Sequence, residues 1–426
     1  MPPVLGLDFG TTNTVLARAG DDGHATLVPL ATPHGPDSVF RSALCFWQDE
    51  VPGGIAHAAG PWAIDEYLQF PEGCRFLQSF KSVAASASFD SAPIFQRRYR
   101  FEDLGRTFLD HLASHAGGAL TGAKRIVVGR PVTYAGHRPD EALARTRYDA
   151  MFAALGAQIV YVHEPLGAAF SHAATLDAAA TILVADFGGG TSDFSIVRLE
   201  APGSERRATP LGSAGIGIAG DQFDRRILDR LVLPLLGKGG TYRSFDKVLE
   251  IPPGHFSDFG DWSRLALMRN RKTLAELETL RRAATDPAAI ERMVAVIEGE
   301  QGYPLYDAVG QVKRALSQGD EATFAFEGGG IAIEAPVTRA QFDDWIAPDI
   351  ERIMGVVERA LDTAGVSADT IDRVFLTGGT SLTPAIRRAF ATRFGEGRLA
   401  SGGELTSVAH GLALIGAQED VAAWAA

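Results

Sequence analysis

Two aspartates stand near the ends of apolar runs, and a turn rich in glycine and threonine follows each of them. The first run, VLGLDFGTTNTVLA, contains Asp8, and the second, TILVADFGGGTSDFS, contains Asp186. An unpaired buried carboxylate is costly, so neither residue suits a plain core strand. A turn-capping role would account for each aspartate separately. Because both stretches repeat the order strand, Asp, Phe, glycine turn and Thr, we interpret them as two related half-structures that each direct a polar loop at a charged ligand.

Three predicted turns after strands combine glycine with hydroxyl side chains: residues 10–12, 188–191 and 378–381. Glycine lets backbone N–H groups approach an anion with no Cβ in the way, and Thr and Ser hydroxyls add further donors. One such turn is weak evidence, because glycine turns after strands are common. Three of them, two with an aspartate on the preceding strand, favour phosphate binding.

The paired aspartates suit the metal that accompanies a polyphosphate. Mg²⁺ keeps most of its water ligands and prefers carboxylate oxygens. Asp8 and Asp186 on adjacent half-structures are therefore predicted to hold that water shell from two sides. A metal placed there would stabilise charge as a terminal phosphoryl group moves.

Glu164 and Lys81 are further candidates. Glu164 precedes Pro165, so we expect it to end its strand rather than enter the helix. Its carboxylate would then leave the end of the sheet, where open α/β folds bind ligands. A solvated carboxylate at a helix N-terminus fits the local sequence equally well. Lys81, in FLQSFKS, has no local feature that separates it from a surface lysine.

Length, charge and cysteine content limit the classes of protein. A chain of 426 residues predicts at least two domains, and a net charge of -12 disfavours nucleic acid as a partner. We find no signal peptide and no apolar run long enough to span a bilayer, which predicts a cytoplasmic protein without a membrane partner. With only Cys45 and Cys74, a reducing compartment is expected, and a single bridge between them stays open.

The predicted elements form an α/β sheet. KRIVVGRP (124–131) and AQIVYVHEP (157–165) read as core strands on either side of a helix, which is the order of a parallel sheet. Beyond Asp221 the chain becomes helical. Asp286 and Pro287 are predicted to begin one helix, and the capping box 338–341 to begin another.

Several other motifs do not carry their usual function. GIGIAG (215–220) matches the dinucleotide pattern, but the preceding APGSERRATPLGSA does not read as a strand, so we predict no such site. The kinase signature and the P-loop are missing, and the histidines and cysteines have no zinc-site spacing.

Six stretches in order resemble the ATPase domain shared by actin, sugar kinases and DnaK-type heat-shock chaperones. They are GLDFGTTNT, HEPLGAAF, DFGGGTSDFSI, AGDQFDRRI, VKRALS and LTGGTSLTPAI, and they extend from Gly6 to Ile386. The chain is identified as a member of the heat-shock protein 70 (DnaK) family, similar to its short YegD-like relatives. The resemblance implies an α/β fold of the actin-like ATPase type, with two ribonuclease-H-like lobes around a nucleotide cleft.

The resemblance also implies an organisation and a function. Lobe I would cover 1–177 with an insertion subdomain at about 31–115, and lobe II 178–426 with a helical insertion at about 220–340; no peptide-binding domain is expected. The implied activity is slow hydrolysis of ATP to ADP and phosphate with Mg²⁺, in a nucleotide-dependent conformational switch. K⁺ is a further implied cofactor, and a protein client or co-chaperone a further implied partner. A sugar-type small-molecule kinase and an actin-like filament protein are the alternatives of the same fold.

The site residues follow from the matched motifs. Lys81, Glu164, Asp186 and Thr191 would be catalytic, with Lys81 at the terminal phosphate and the attacking water and Glu164 linking that water or the metal to the sheet. Asp8, Asp186 and Asp193 would serve the metal, and Thr191 and Asp193 a monovalent cation or a water. The implied nucleotide-binding residues are Gly10, Thr11, Thr12, Asn13, Gly188, Gly189, Gly190, Thr191, Gly220, Lys313, Arg314, Ser317, Gly378 and Gly379.

Three positions depart from the family pattern. Gly310 replaces an acidic residue, Leu382 replaces the arginine that stacks on adenine, and Glu404 is a displaced acidic residue of a late motif. The phosphate half of the site is therefore retained, whereas adenine affinity and base preference are left open.

Overall fold

A computed structural model describes residues 3–50, 54–70, 73–135, 138–173, 178–200, 208–260, 265, 268–299, 301–401 and 406–426. The chain divides into two compact units. The first comprises Met1–Gly220 with Asp349–Ala426, and the second comprises Asp221–Pro348. The predicted division into lobes at 177 and 178 stays a prediction.

The strands, in chain order, are β1 Val4–Phe9, β2 Asn13–Ala19, β3 Ala25–Leu27, β4 Val39–Arg41, β5 Ala43–Gln48, β6 Ile55–Ala59, β7 Cys74–Gln78, β8 Ala92–Ile94, β9 Arg97–Tyr99, β10 Arg125–Arg130, β11 Gln158–His163, β12 Ala180–Phe187, β13 Ser192–Leu199, β14 Ala208–Ile216, β15 Thr241–Ser244, β16 Lys247–Glu250, β17 Glu321–Gly328, β18 Ile331–Thr338, β19 Arg373–Thr377 and β20 Leu399–Ser401.

The helices are α1 Pro61–Gln69, α2 Phe101–His115, α3 Glu141–Phe152, α4 Glu164–Ala173, α5 Gly220–Ile227, α6 Leu233–Leu235, α7 Arg271–Ala283, α8 Pro287–Glu298, α9 Gly302–Gln318, α10 Arg339–Ala364, α11 Pro384–Phe394 and α12 Ser407–Gly416. A π-helical turn, Leu228–Val232, joins α5 to α6, and a 3₁₀ helix covers Phe80–Val83.

The first unit contains two sheets of the same design. One has the order β11-β10-β1-β2-β3, with β4 also paired to β2, and the other has the order β14-β13-β12-β19-β20. In each sheet the central strand, β1 or β12, pairs antiparallel with the next strand along the chain. On its other side it pairs parallel with a strand from later in the chain. The predicted pair of related half-structures is confirmed, and the fold is the mixed α/β fold of actin-like ATPases.

Helices α4 and α12 join the cores of these two sheets. One apolar cluster contains Val127 of β10 and Val184 of β12, together with Leu166 of α4 and Leu412 of α12. Burial on both faces explains why every residue of β12 is buried and why the strand reads as a continuous apolar run.

Glycine is required where α4 and α12 cross. A Cβ added to Gly411 would lie 1.6 Å from the carbonyl oxygen of Gly167. A Cβ added to Gly6 of β1 would lie 2.3 Å from the carbonyl oxygen of Ala409 in α12. Backbones this close leave no volume for a side chain, so these glycines set the separation of α12 from β1 and α4.

Two sequence predictions are wrong in detail. The segment before GIGIAG is a strand, β14, which pairs antiparallel with β13 around a register shift at Ile196/Val197. Pro210 and Gly212 are tolerated in β14 because it is an edge strand with an irregular register. The same two residues made the segment look unlike a strand in the sequence. Glu164 is the first residue of α4 rather than the last of β11, because a proline in the first helical turn costs no hydrogen bond.

The second unit contains the hairpins β15–β16 and β17–β18 and the helices α7 to α9. The predicted helix starts are confirmed there. Asp286 accepts hydrogen bonds from the N–H groups of Ala288 and Ala289, ahead of Pro287. In the capping box, the N–H of Thr338 donates to Gln341 Oε1 over 2.9 Å and the N–H of Gln341 donates to Thr338 Oγ1 over 3.2 Å.

We predict that Gly411→Ala lowers the free energy of unfolding by about 3 kcal/mol, because overpacking a close backbone contact forces the helices apart. Gly355→Ala is the matched control, since Gly355 lies exposed in α10 with no heavy atom within 4 Å of an added Cβ. This change should raise stability by about 0.5 kcal/mol. Chemical denaturation measures both, and an unchanged midpoint for Gly411→Ala would contradict the packing argument.

Candidate active site

The first two glycine loops close in the same way. The Gly10 N–H donates to the carbonyl oxygen of Asn13 and the Gly188 N–H donates to that of Thr191, each over 2.9 Å. Each loop connects the central strand of its sheet to the antiparallel neighbour. The sequence repeat of the two loops is thus also a repeat of backbone geometry.

The third loop packs on the second. Gly378 has φ of 80°, and a Cβ there would lie 1.9 Å from the carbonyl oxygen of Phe187. The hydroxyl of Thr380 donates to the carbonyl oxygen of Gly188 over 3.2 Å. At the end of the neighbouring strand, Thr377 Oγ1 donates to Asp186 Oδ1 over 2.8 Å, and both side chains are buried. Parallel pairing of β12 with β19 therefore fixes the Asp186 carboxylate.

Lys81 and Glu164 form a buried ion pair. Lys81 Nζ donates to Glu164 Oε1 over 2.7 Å, and the two side chains are only 6% and 10% exposed. Lys81 lies in the 3₁₀ helix after β7, and Glu164 begins α4. Gly129 leaves room for the carboxylate, because a Cβ there would lie 3.0 Å from Glu164 Cγ. Lys81 is therefore not the surface lysine that its local sequence allowed.

Asp8 and Asp186 interact electrostatically with the Lys81–Glu164 pair, so three carboxyl groups share one cation. Burial raises the pKa of Asp8 well above its usual value, and the charges of Glu164 and Asp186 raise it further against the opposing effect of Lys81. Burial and Glu164 raise the pKa of Asp186 to about 7, although the Thr377 hydrogen bond and Lys81 lower it. Burial lowers the pKa of Lys81, but Glu164, Tyr148 and Asp8 outweigh it and raise that pKa overall. Lys81 is therefore a permanent cation.

Asp193 connects the two half-structures. Its Oδ1 accepts hydrogen bonds from the N–H groups of Val132 and Thr133, over 2.9 and 3.0 Å, in the turn that follows β10. Burial and then Glu164 raise the pKa of Asp193, while the hydrogen bonds from the Thr133 N–H and from Thr191 lower it. A carboxylate on β13 thus positions a loop of the other sheet, and its predicted role towards a cation or a water stays a prediction.

Three of the residues expected at the nucleoside, Lys313, Arg314 and Ser317, lie on α9. In the second unit, Lys313 Nζ pairs with Asp224 Oδ2 over 2.7 Å, and Ser317 Oγ donates to the carbonyl oxygen of Lys313 over 3.0 Å. Arg314, also in α9, is largely exposed and lies 3.7 Å from Asp307.

In the first unit, Gly220 begins α5 and is buried, and Gly379 begins a short 3₁₀ helix. Leu382, at the end of that helix, is 57% exposed. Glu404 lies outside the described residues. The grouping of this set with the phosphate loops stays a prediction.

A family model described as Hsp70 protein matches residues 301–419. The matched segment contains α9, the third glycine loop and α12. The match supports a nucleotide-binding domain of the Hsp70 family. The predicted place of the chain among the short relatives of that family stays a prediction. Among the described helices, none combines the length and apolar character needed to cross a membrane.

The residues of the candidate site would suit a hydrated Mg²⁺ rather than a directly ligated metal. Within the described ranges, no three His, Cys, Asp or Glu side chains are grouped so that they could hold a metal ion. Mg²⁺ needs only one or two carboxylates when waters and substrate phosphates complete its shell. Asp8 and Asp186 repel one another and Glu164, so a cation beside them would relieve the repulsion.

Sequence reasoning missed three residues that support the candidate site. Arg41 Nη1 donates to Asn13 Oδ1 over 3.1 Å, and Ser42 Oγ donates to the carbonyl oxygen of Gly10 over 2.7 Å. The third is Thr377, a polar residue at the end of a strand that directly precedes the third glycine turn. That signal was readable for Thr377, whereas nothing local marks Arg41 or Ser42.

We predict that Asp186→Asn stabilises the ligand-free, Mg²⁺-free domain more strongly at pH 8 than at pH 5. The pKa of folded Asp186 is raised from 3.8 to about 7. Stability from this group is therefore fully present below about pH 3.8 and is lost as the pH rises from there through about 7. The gain at pH 8 should be on the order of 2 kcal/mol. Thermal unfolding across pH measures it.

Glu358→Gln is the control of opposite sign. Arg393 lowers the pKa of Glu358, so any loss of stability should be present near neutral pH and fade in acid. A pH-independent effect of Asp186→Asn would show that its carboxyl is not destabilised by burial.

We also predict that Lys81→Ala costs about 3–5 kcal/mol, because it leaves Glu164 buried without its partner. The double variant Lys81→Met with Glu164→Leu removes both charges and should regain most of that loss. Arg387→Ala, at an exposed pair with Glu396, should cost less than about 1 kcal/mol. Equal losses for the single and double variants, by thermal unfolding, would contradict the electrostatic explanation.

Proposed function

We propose that this protein binds Mg·ATP between the glycine loops of its two half-structures, hydrolyses it slowly to ADP and phosphate, and acts as a nucleotide-dependent conformational switch. The observation that carries the proposal is the cluster of half-buried Asp8 with buried Glu164 and Asp186 around one permanent cation, Lys81. Such a cluster is costly in the free protein and is typical of functional sites.

The phosphate contacts would come from the first two loops. Backbone N–H groups of residues 11–13 and 189–191, with the hydroxyls of Thr11, Thr12 and Thr191, would supply donors without bringing negative charge, whereas the N–H groups of Gly10 and Gly188 close their own loops. The third loop, at Gly378 and Gly379, supports the second through Thr380. Asp8 and Asp186 would hold a hydrated Mg²⁺, whose contribution is to neutralise charge that develops on the phosphates. Asp193 would serve K⁺ or a water beside Thr191.

Lys81 and Glu164 would set the geometry of hydrolysis. The water oxygen attacks the γ-phosphorus, and the bond from that phosphorus to the bridging oxygen of ADP breaks. Lys81 Nζ, held by Glu164 Oε1 at 2.7 Å, would position the water and the transferred phosphoryl group while remaining protonated. The Asp186 carboxylate would accept the proton that the attacking water loses.

The nucleotide would contact glycine loops from two different sheets, and this supports a switch function. The two loops belong to different sheets, and those sheets are joined by the α4–α12 crossing and the Asp193 hydrogen bonds. A ligand that contacts both loops can favour one arrangement of the sheets by its differential affinity. A protein client or co-chaperone would bind one arrangement of the sheets in preference to the other.

Turnover and binding of the full chain test the proposal. Asp186→Asn should lower the rate of phosphate release from Mg·ATP by roughly 100-fold, because a positioned charge in the site is lost. Asp21→Asn, at an exposed position of the same unit, should leave the rate unchanged. Calorimetry with ATP, ADP and GTP, with and without Mg²⁺, determines base preference. An Asp186→Asn protein with the normal rate would overturn the proposed site.

A further inference from the structure

The two cysteines of the chain lie side by side in the three-stranded sheet β6-β5-β7. Cys45 of β5 is opposite Phe76, and Cys74 of β7 is opposite Trp47. Cys45 and Cys74 are therefore diagonal neighbours in an antiparallel pair, and alternate residues of a strand share a face. Both sulfur atoms lie on the same face of this sheet.

The thiols are in contact and differ in exposure. Their side chains share a hydrogen bond, Cys45 is buried and Cys74 is partly exposed. Helix α1 packs on this sheet, where the ring of Tyr67 lies 5.0 Å from that of Phe76. Because Cys74 is partly exposed, a small oxidant can reach it directly, whereas the buried Cys45 is shielded from solvent.

We propose that Cys45 and Cys74 are a site of reversible oxidation, at which a hydroperoxide converts the two thiols to an intramolecular disulfide. The Cys74 thiolate attacks the peroxide oxygen, the O–O bond breaks, and sulfenic acid and an alcohol or water are formed. The Cys45 sulfur then attacks the sulfenic sulfur, the S–S bond forms, and the hydroxyl group leaves as water with the Cys45 proton. The sulfurs are oxidised and the peroxide is reduced.

The environment assigns the order of the two steps. Burial, the neighbouring Cys74 and Glu66 raise the pKa of Cys45, so this thiol remains protonated and is a poor first nucleophile. Cys74 is the accessible thiol and is oxidised first. Cys45 is held against it and resolves the sulfenic acid before further oxidation.

Closing this bridge moves β7. Diagonal residues in an antiparallel pair have Cα atoms about 7–8 Å apart, whereas a disulfide prefers less than about 7 Å. The bond therefore draws the start of β7 towards β5. Such a bridge is readily reduced again, which suits a regulatory role in a reducing compartment.

Strand β7 leads directly to the lysine of the site. After Gln78, Ser79 has φ of 55°, a left-handed conformation in a residue other than glycine, and the 3₁₀ helix with Lys81 follows. Movement of β7 would pass through this short connection to Lys81 and its bond to Glu164. The expected consequence for ATP turnover rests on the proposed function, whereas the disulfide does not.

Chemical analysis of the full chain tests the disulfide alone. After hydrogen peroxide treatment of the folded protein, we expect both thiols to be lost, a mass decrease of two hydrogens, and one peptide pair joined through Cys45 and Cys74. Dithiothreitol should restore both thiols. Sulfenic or sulfinic acid at Cys74 beside a free Cys45, or a covalent dimer on a non-reducing gel, would overturn the proposal.

Single variants show the order of the steps. Cys74→Ser should leave Cys45 unreacted, and Cys45→Ser should accumulate a sulfenic acid at Cys74 that dimedone traps. Because Cys74 is partly exposed, Cys74→Ser is the variant expected to fold normally, and Cys45→Ser gives an independent measurement. Rapid oxidation of Cys45 in the Cys74→Ser protein would contradict the assigned roles.

Turnover of the oxidised protein tests the link to Lys81. We expect the rate of phosphate release to fall by roughly tenfold and to recover with dithiothreitol. A displacement of about 1 Å in a positioning group can lower a rate by about 100-fold, and a smaller displacement of Lys81 lowers it by less. The Cys74→Ser protein should be insensitive to peroxide. A disulfide without a change in turnover would overturn the link to Lys81. A reduced protein without any ATP hydrolysis would overturn the proposed function and leave the disulfide result unaffected.

Discussion

The buried ion pair between Lys81 and Glu164 is the interaction on which the candidate site depends. Taking two charges out of water costs several kcal/mol for each ion, and only close pairing offsets the cost. The pair holds the 3₁₀ helix after β7 against the start of α4. It also supplies the positive charge that lets Asp8 and Asp186 lie close to one another. Without this cation, the cluster would consist of carboxylates alone.

The duplicated sheets explain how two such aspartates come together. Each lies on the central strand of its sheet, immediately before the loop to the antiparallel neighbour. The shared strand order places Asp8 and Asp186 at equivalent positions in the two sheets, but it does not hold the two sheets together. The halves are joined by α4 and α12, which pack between the two sheets. These helices cross at Gly167 and Gly411, because only residues without side chains allow backbones to approach so closely.

Local signals were sufficient for many elements of the fold. Asp286 and the pair Thr338 and Gln341 mark helix starts through hydrogen bonds that involve a few neighbouring residues. The strand β14 was missed because its glycines and proline are tolerated at a sheet edge, where the partner strand rather than the local sequence maintains the structure. Glu164 was placed one residue away because a first-turn proline fits either side of the boundary.

The sequence by itself determined the glycine loops, the repeat that relates Asp8 to Asp186 and the mixed α/β class, since each depends on residue types within a short stretch. Only the tertiary structure decided that Lys81 is buried against Glu164, which lies 83 residues away along the chain, and that Thr377 holds Asp186 from 191 residues away. The same is true of Asp193, whose carboxylate is bound by two N–H groups of the other sheet's loop. These contacts form between distant segments that the packing of strands and helices brings together, and no local periodicity records them.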